Sequence, residues 1–148
     1  MTEHRTPAPE FNTPPLVAML ETALYVDDLA AARRFYADVL GLPLVVEAEG
    51  RHVFFRIGAG MLLLFDAAAT AKPPAPPPAL QVPPHGAKGP GHACFAVARE
   101  DLAGWRARLL AAGVVIESQV TWPNGAQSLY FRDPAGNSLE LAEPALWF

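Results

Sequence analysis

An α+β fold built from two βαβββ modules is predicted from three features of this chain. The first is an internal repeat: Phe54-Phe55-Arg56-Ile57-Gly58-Ala59-Gly60-Met61-Leu62-Leu63-Leu64-Phe65 aligns without a gap to Tyr130-Phe131-Arg132-Asp133-Pro134-Ala135-Gly136-Asn137-Ser138-Leu139-Glu140-Leu141, with five of twelve pairs identical. The second is the matching order upstream of each copy, where a strand with one embedded polar residue (Glu21, His92) precedes an amphipathic helix. The third is the break between the halves, Ala67 to Gly91, which holds eight of the sixteen prolines. Proline lacks a backbone donor and favours extended geometry, so this stretch is neither a helix nor a central strand.

Taken in order, residues 1–15 (MTEHRTPAPEFNTPP) are polar and proline-rich and read as a flexible arm. Leu16 to Val26 reads as a strand. Asp27 or Asp28 caps a helix running to about Leu40, with Leu29, Ala32, Phe35, Tyr36 and Val39 on a buried stripe and Gly41 ending it. Strands follow at Leu44 to Glu47, His52 to Ile57 and Met61 to Phe65, the last two joined as a hairpin through Gly58-Ala59-Gly60. The second half repeats the pattern: a strand from His92 to Val97, a helix from Asp101 to Ala112 stopped by Gly113, and strands at Val115 to Val120, Ser128 to Arg132 and Ser138 to Leu141. The domain plan is thus an arm (1–15), a first module (16–66), a proline-rich connection (67–90), a second module (91–143) and a short tail (144–148). The connection reads first as a semi-rigid linker. A lid is the alternative, because Pro84-His85-Gly86-Ala87-Lys88 carries polar side chains just before the His92 strand.

Composition excludes several function classes. A chain of 148 residues, 51% apolar, supports one compact domain or two halves sharing a core. The net charge of −4 argues against nucleic acid or an anionic membrane as the main partner. No apolar run is long enough for a membrane helix, and the N-terminus lacks the apolar core of a secretory signal. Cys94 is the one cysteine, which rules out an intramolecular disulfide and suits a reducing, cytoplasmic setting. It reads as a small buried apolar residue.

Strand alternation puts Glu21, His92 and Glu140 on the faces opposite those their helices should cover. Strand glutamates usually face water on a half-exposed sheet. These three instead occupy corresponding places in a repeat, and Glu21 and His92 each stand five residues before a strand-ending valine, Val26 or Val97. One imidazole and two carboxylates form a mixed N/O set suited to Mn, Fe(II), Co, Ni or Zn, with positions left open for water and substrate.

The residues quoted so far, together with Glu21-Thr-Ala-Leu-Tyr-Val-Asp-Asp-Leu, Arg34-Phe-Tyr-Ala-Asp-Val-Leu-Gly-Leu-Pro, Gly91-His92 and Tyr130-Phe-Arg-Asp-Pro-Ala-Gly-Asn-Ser-Leu-Glu140-Leu, resemble the vicinal oxygen chelate superfamily. That superfamily includes glyoxalases, extradiol dioxygenases, fosfomycin-resistance transferases and bleomycin-resistance proteins. The resemblance covers about residues 16 to 143. It implies an open, cup-shaped mixed sheet with helices outside and a divalent metal inside, held from positions that fall here on Glu21, Leu64, His92 and Glu140. Leu64 cannot be a ligand, so three remain. The implied enzyme is a metal-dependent lyase, isomerase or dioxygenase acting on a small substrate chelated through neighbouring oxygens. Glu21 or Glu140 would double as proton-transfer base. Leu62, Leu64, His85, Ser128 and Tyr130 would contact the substrate, while Trp122 and Trp147 read as core or dimer packing. The alternative is a metal-free, bleomycin-resistance-like protein that sequesters a small molecule. A homodimer is implied in either case.

Overall fold

The computed structural model describes residues 14–148, so all but the end of the expected arm lies outside the described residues. The first module contains β1 (Glu21–Val26), α1 (Leu29–Arg34), β2 (Leu44–Ala48), β3 (His52–Ile57) and β4 (Gly60–Asp66). A one-turn helix α2 (Ala67–Thr70) opens the connection. The second module contains β5 (His92–Ala96), α3 (Leu102–Ala111), β6 (Ser118–Thr121), β7 (Gln127–Arg132) and β8 (Ser138–Ala142). Each module forms a four-stranded open mixed sheet, in the orders β1-β4-β3-β2 and β5-β8-β7-β6, with one parallel pair apiece. The fold is therefore α+β with two βαβββ modules, as the repeat predicts.

Local chemistry explains the departures from the predicted elements. Strand β1 starts at Glu21, not Leu16, because its parallel partner β4 begins at Gly60 and the ladder opens with Glu21 opposite Met61. Leu16 and Val17 have no strand beside them and are 100% and 95% exposed. Helix α1 is capped by the Asp28 carboxylate, which accepts from Ala31 N at 2.9 Å. Its continuation, Phe35–Val39, is a π-turn in which Leu40 N donates to Phe35 O. This wider turn lets the adjacent Phe35 and Tyr36 both face the core.

One hydrophobic core joins the modules. Leu24, Val26, Phe35, Tyr36, Phe55, Leu62 and Leu64 of the first pack in the same cluster as Leu102, Leu109, Leu129, Phe131, Leu139 and Leu141 of the second. A buried polar bolt crosses it. The Tyr36 hydroxyl donates to Asp133 Oδ2 at 2.8 Å, and Asn137 Nδ2 donates both to Asp133 Oδ2 and to the Tyr25 carbonyl. Asn137 Oδ1 accepts from Gly91 N at 2.7 Å. A Cβ at Gly91 would stand 3.0 Å from Leu24 Cδ2 and 3.4 Å from Asn137 Oδ1, so the modules approach closely there. Burial, and next to it the Asp133 charge, raise the Tyr36 hydroxyl far above the usual phenol range and keep it a donor.

The proline-rich segment is packed against the first module and is not a free linker between the two. Asp66 caps α2 through Ala69 N at 2.9 Å, and His85 N bonds the buried Thr70 carbonyl at 3.0 Å. The His85 ring accepts or donates at Tyr25 Oη, 2.7 Å from Nδ1, and sits edge-on to Phe65 at 4.7 Å. Between these anchors Gln81 Nε2 staples the strap by donating to the carbonyls of Ala75 and Ala79.

Candidate functional site

With the helix-facing sides of both sheets buried in the shared core, their opposite faces open onto separate clefts. The second module's cleft, about 420 Å³, is lined by His92, Cys94, Tyr130 and Glu140 from the sheet and by Trp122, Asn124, Leu146 and Trp147 from the flanking loops. Strand register fixes this grouping. Cys94 and Tyr130 flank Glu140 on the two neighbouring strands, and His92 lies one pleat further along β5.

The geometry of the pair is informative. His92 Nε2 lies 3.4 Å from Glu140 Oε2. The other ring nitrogen, Nδ1, is 3.0 Å from the Ser138 carbonyl, which only accepts, so Nδ1 carries the proton. In the neutral ring Nε2 then presents a lone pair to a carboxylate oxygen, an arrangement that calls for a cation or a proton between them. Glu140 is only 4% exposed, and among the described residues its buried Oε1 has no hydrogen-bond partner, although the Cys94 thiol and the Tyr130 hydroxyl lie close to the carboxylate. A histidine oriented by a backbone carbonyl and a buried, half-satisfied carboxylate beside it are what a divalent ion requires of its ligands. The pair thus supplies two donors of the kind that a divalent ion takes.

Glu21 does not join them. It opens onto the first module's cleft, about 1080 Å³, together with His52, Phe54, Leu63, Phe65 and His85 and the overhanging strap. Among the described residues no three of His, Cys, Asp and Glu converge closely enough to hold a metal ion. Two further expectations are corrected by the register. Leu62 and Leu64 are 2% and 0% exposed and belong to the core, not to a cup lining. Phe54 stands opposite Leu63 while Tyr130 stands opposite Glu140, so Leu63 is the structural counterpart of Glu140. The gapless sequence alignment slips by one residue because the β3–β4 turn is one residue shorter than the β7–β8 turn.

Ser128 lies on the correct face but is fully buried, its Oγ accepting from Trp122 Nε1 at 2.8 Å. It holds the tryptophan wall and is closed to a ligand. Trp147, read from sequence as packing, is 80% exposed at the cleft. Cys94 is exposed rather than buried. The sheet around it and the nearby Glu140 charge push its thiol up to about 12, which keeps it neutral and a poor nucleophile. Tyr130 is pushed up to about 12 as well, first by desolvation and then by Glu140. Arg132 pairs with Glu117 through two nitrogens at 2.7 and 2.9 Å.

Residues 18–141 match the Glyoxalase/Bleomycin resistance protein/Dioxygenase superfamily. A solved lactoylglutathione lyase from Agrobacterium tumefaciens is 46% identical, superposes with a TM-score of 0.85, and the match covers 90% of this chain and 98% of that one. A glyoxalase/bleomycin resistance protein/dioxygenase from Nocardioides is 23% identical with a TM-score of 0.69, covering 89% and 86% of the two chains. An integron cassette protein from the mobile metagenome of V. cholerae is 24% identical with a TM-score of 0.66, covering 89% and 98%. These last two support the fold alone. Comparison with curated proteins finds no match. The chain belongs to the glyoxalase/bleomycin resistance/dioxygenase superfamily.

Proposed function

We propose that this chain is a metal-dependent enzyme acting on a small substrate that presents two neighbouring oxygens, and that each site is completed by a second copy of the chain. The observation that carries the reading is the His92–Glu140 pair, with Nδ1 tied to a carbonyl and Glu140 Oε1 buried without a partner. A metal-free sequestering protein would gain nothing from keeping such a carboxylate out of water. His92 Nε2 and Glu140 would hold the ion, and Glu21 of a second copy would supply the third ligand, since Glu21 of the same chain faces another cleft.

A bound divalent ion would supply positive charge that polarises the neighbouring substrate oxygens. The protein's own residues do the rest. Glu140 would serve as the proton acceptor, its Oε1 facing the cleft without a hydrogen-bond partner among the described residues. Tyr130, held protonated well above neutral pH, donates a hydrogen bond to a substrate oxygen. Trp122, fixed through Ser128, and Trp147 line the open side with aromatic surface. Leu63 in place of a fourth ligand leaves one more position for substrate.

The test is elemental mass spectrometry of untagged protein purified without chelator, alongside Glu140→Gln and His92→Ala. About one divalent ion per chain, lost in both variants with their circular dichroism unchanged, is the expected result. Turnover is then assayed first with lactoylglutathione, the compound in the Agrobacterium relative's name, and next with diketone adducts, catechols and epoxides. Failure to take up Mn, Fe(II), Co, Ni or Zn would leave sequestration of a bulky ligand as the function.

A further inference from the structure

The first module's cleft has a graded lining that the metal reading does not use. Strand register places Glu21 level with Met61 at one end, and Tyr25, Phe65 and His52 level with one another at the other end. Four residues of strand separate the two levels, about 13 Å at roughly 3.3 Å per residue. The floor between them is apolar and flat. Phe54 and Phe65 meet edge-to-face at 5.2 Å, and the His52 ring stacks on Phe54 at 4.1 Å with 14° between planes. Burial, with Arg51 adding to it, lowers the His52 imidazole below its ordinary value, so the ring offers a neutral flat face at neutral pH. Overhead, the strap contributes Leu80 and Val82, 84% and 52% exposed, and proline rings. Both cationic side chains of the cleft, Arg51 and Lys72, come from elements at the end away from Glu21, the β2–β3 turn and the start of the strap. Among the described residues neither is held in an ion pair, and the Arg51 guanidinium donates to the Ala69 carbonyl at 3.4 Å. On a protein of net charge −4, such a mouth selects an anion.

We infer that this cleft binds a small molecule with a flat, apolar body and a terminal carboxylate, the body lying on Phe54, Leu63 and Phe65 and the carboxylate reaching Arg51 and Lys72. The inference rests on the proposed function in one respect: it makes this molecule the substrate, with its neighbouring oxygens at the Glu21 end. It also deepens that reading, because a tripeptide conjugate such as a glutathione thioether would bury its peptide N–H and C=O groups on a floor without partners for them. The strap becomes a roof that makes one open sheet face into a slot for a planar ligand.

Isothermal titration calorimetry of the full chain tests this with biphenyl-4-carboxylate, its neutral carboxamide and S-hexylglutathione. The carboxylate is expected to bind about tenfold tighter than the amide, as a charge-assisted contact gives. That advantage disappears in the Arg51→Gln/Lys72→Gln double variant, while the amide binds both proteins equally. Binding of the carboxylate persists in Glu140→Gln, whose metal content is measured in parallel. Equal affinity for carboxylate and amide, no saturable binding of either, or tighter binding of S-hexylglutathione overturns the inference. Metal retained by Glu140→Gln would overturn the proposed metal site and leave the cleft assignment standing.

Discussion

Asn137 shows how much one side chain carries. It is 1% exposed and joins three partners that come from three parts of the chain: Asp133 in its own turn, Tyr25 at the end of β1, and Gly91 at the start of β5. Substitution by alanine strands the half-buried Gly91 N–H and Tyr25 C=O and frees Asp133 from one of its donors. We expect Asn137→Ala to lower the free energy of unfolding by about 2–4 kcal/mol, read as a lower urea midpoint with little change in slope. Asn137→Asp, though nearly isosteric, should cost at least as much, because it turns a carboxylate toward Asp133 Oδ2 and the Tyr25 carbonyl. A midpoint equal to wild type in either variant would remove the bolt from the stabilising interactions. The Asp-Pro-Ala-Gly-Asn run is legible in the sequence as a turn, and Asp133 does accept from Ala135 N and Asn137 N at 2.9 Å each. Its role as an inter-module bolt is not legible, since nothing in local spacing encodes Tyr36 or Tyr25 as its partners.

At the scale of elements, alternation and turn chemistry predicted all eight strands and both long helices, and erred where pairing decides. The start of β1 depends on where β4 begins, and the equivalence of β4 with β8 depends on turn length. A gapless alignment makes Leu64 the counterpart of Glu140, whereas strand register assigns that place to Leu63. The two assignments predict opposite outcomes for one mutation made one residue apart. Leu63→Glu places a carboxylate on the open face, where it should leave the fold intact and tighten metal retention against a chelator by adding a fourth ligand. Leu64→Glu buries an unpaired charge in the shared core, costing several kcal/mol or more and yielding insoluble or unfolded protein. Thermal melts of the pair, with chelator competition on the soluble one, check this. A well-folded Leu64→Glu protein would mean that the register is wrong. The proline-rich segment was the least legible element, because composition fixes its extended character but not the face on which His85, Thr70 and Tyr25 anchor it.

For the whole molecule, the decisive feature is that helix-side packing of the modules turns their open faces apart. Glu21 therefore lines one cleft and the His92–Glu140 pair another. The sequence identifies these residues as equivalent, and from that equivalence a single site within one chain is the natural expectation. The shared core of Leu24, Phe35, Phe55, Phe131 and Leu139 is what prevents it. If the site is completed by a second copy, two inactive variants should rescue each other. Glu21→Gln and Glu140→Gln homodimers each carry a defect in both sites. In a mixed dimer, one site collects both defects and the other collects none, because its Glu21 comes from the Glu140→Gln chain and its Glu140 from the Glu21→Gln chain. Equal, random mixing makes about half of the dimers mixed, with one intact site each, so the mixture should regain about a quarter of wild-type turnover and metal content. Equilibrium after co-refolding the two variants, followed by metal analysis, gives the readout before any substrate is known. No rescue on mixing, with dimers demonstrated by sedimentation, would mean that Glu21 serves only the cleft beneath the proline strap and that His92 and Glu140 work without it.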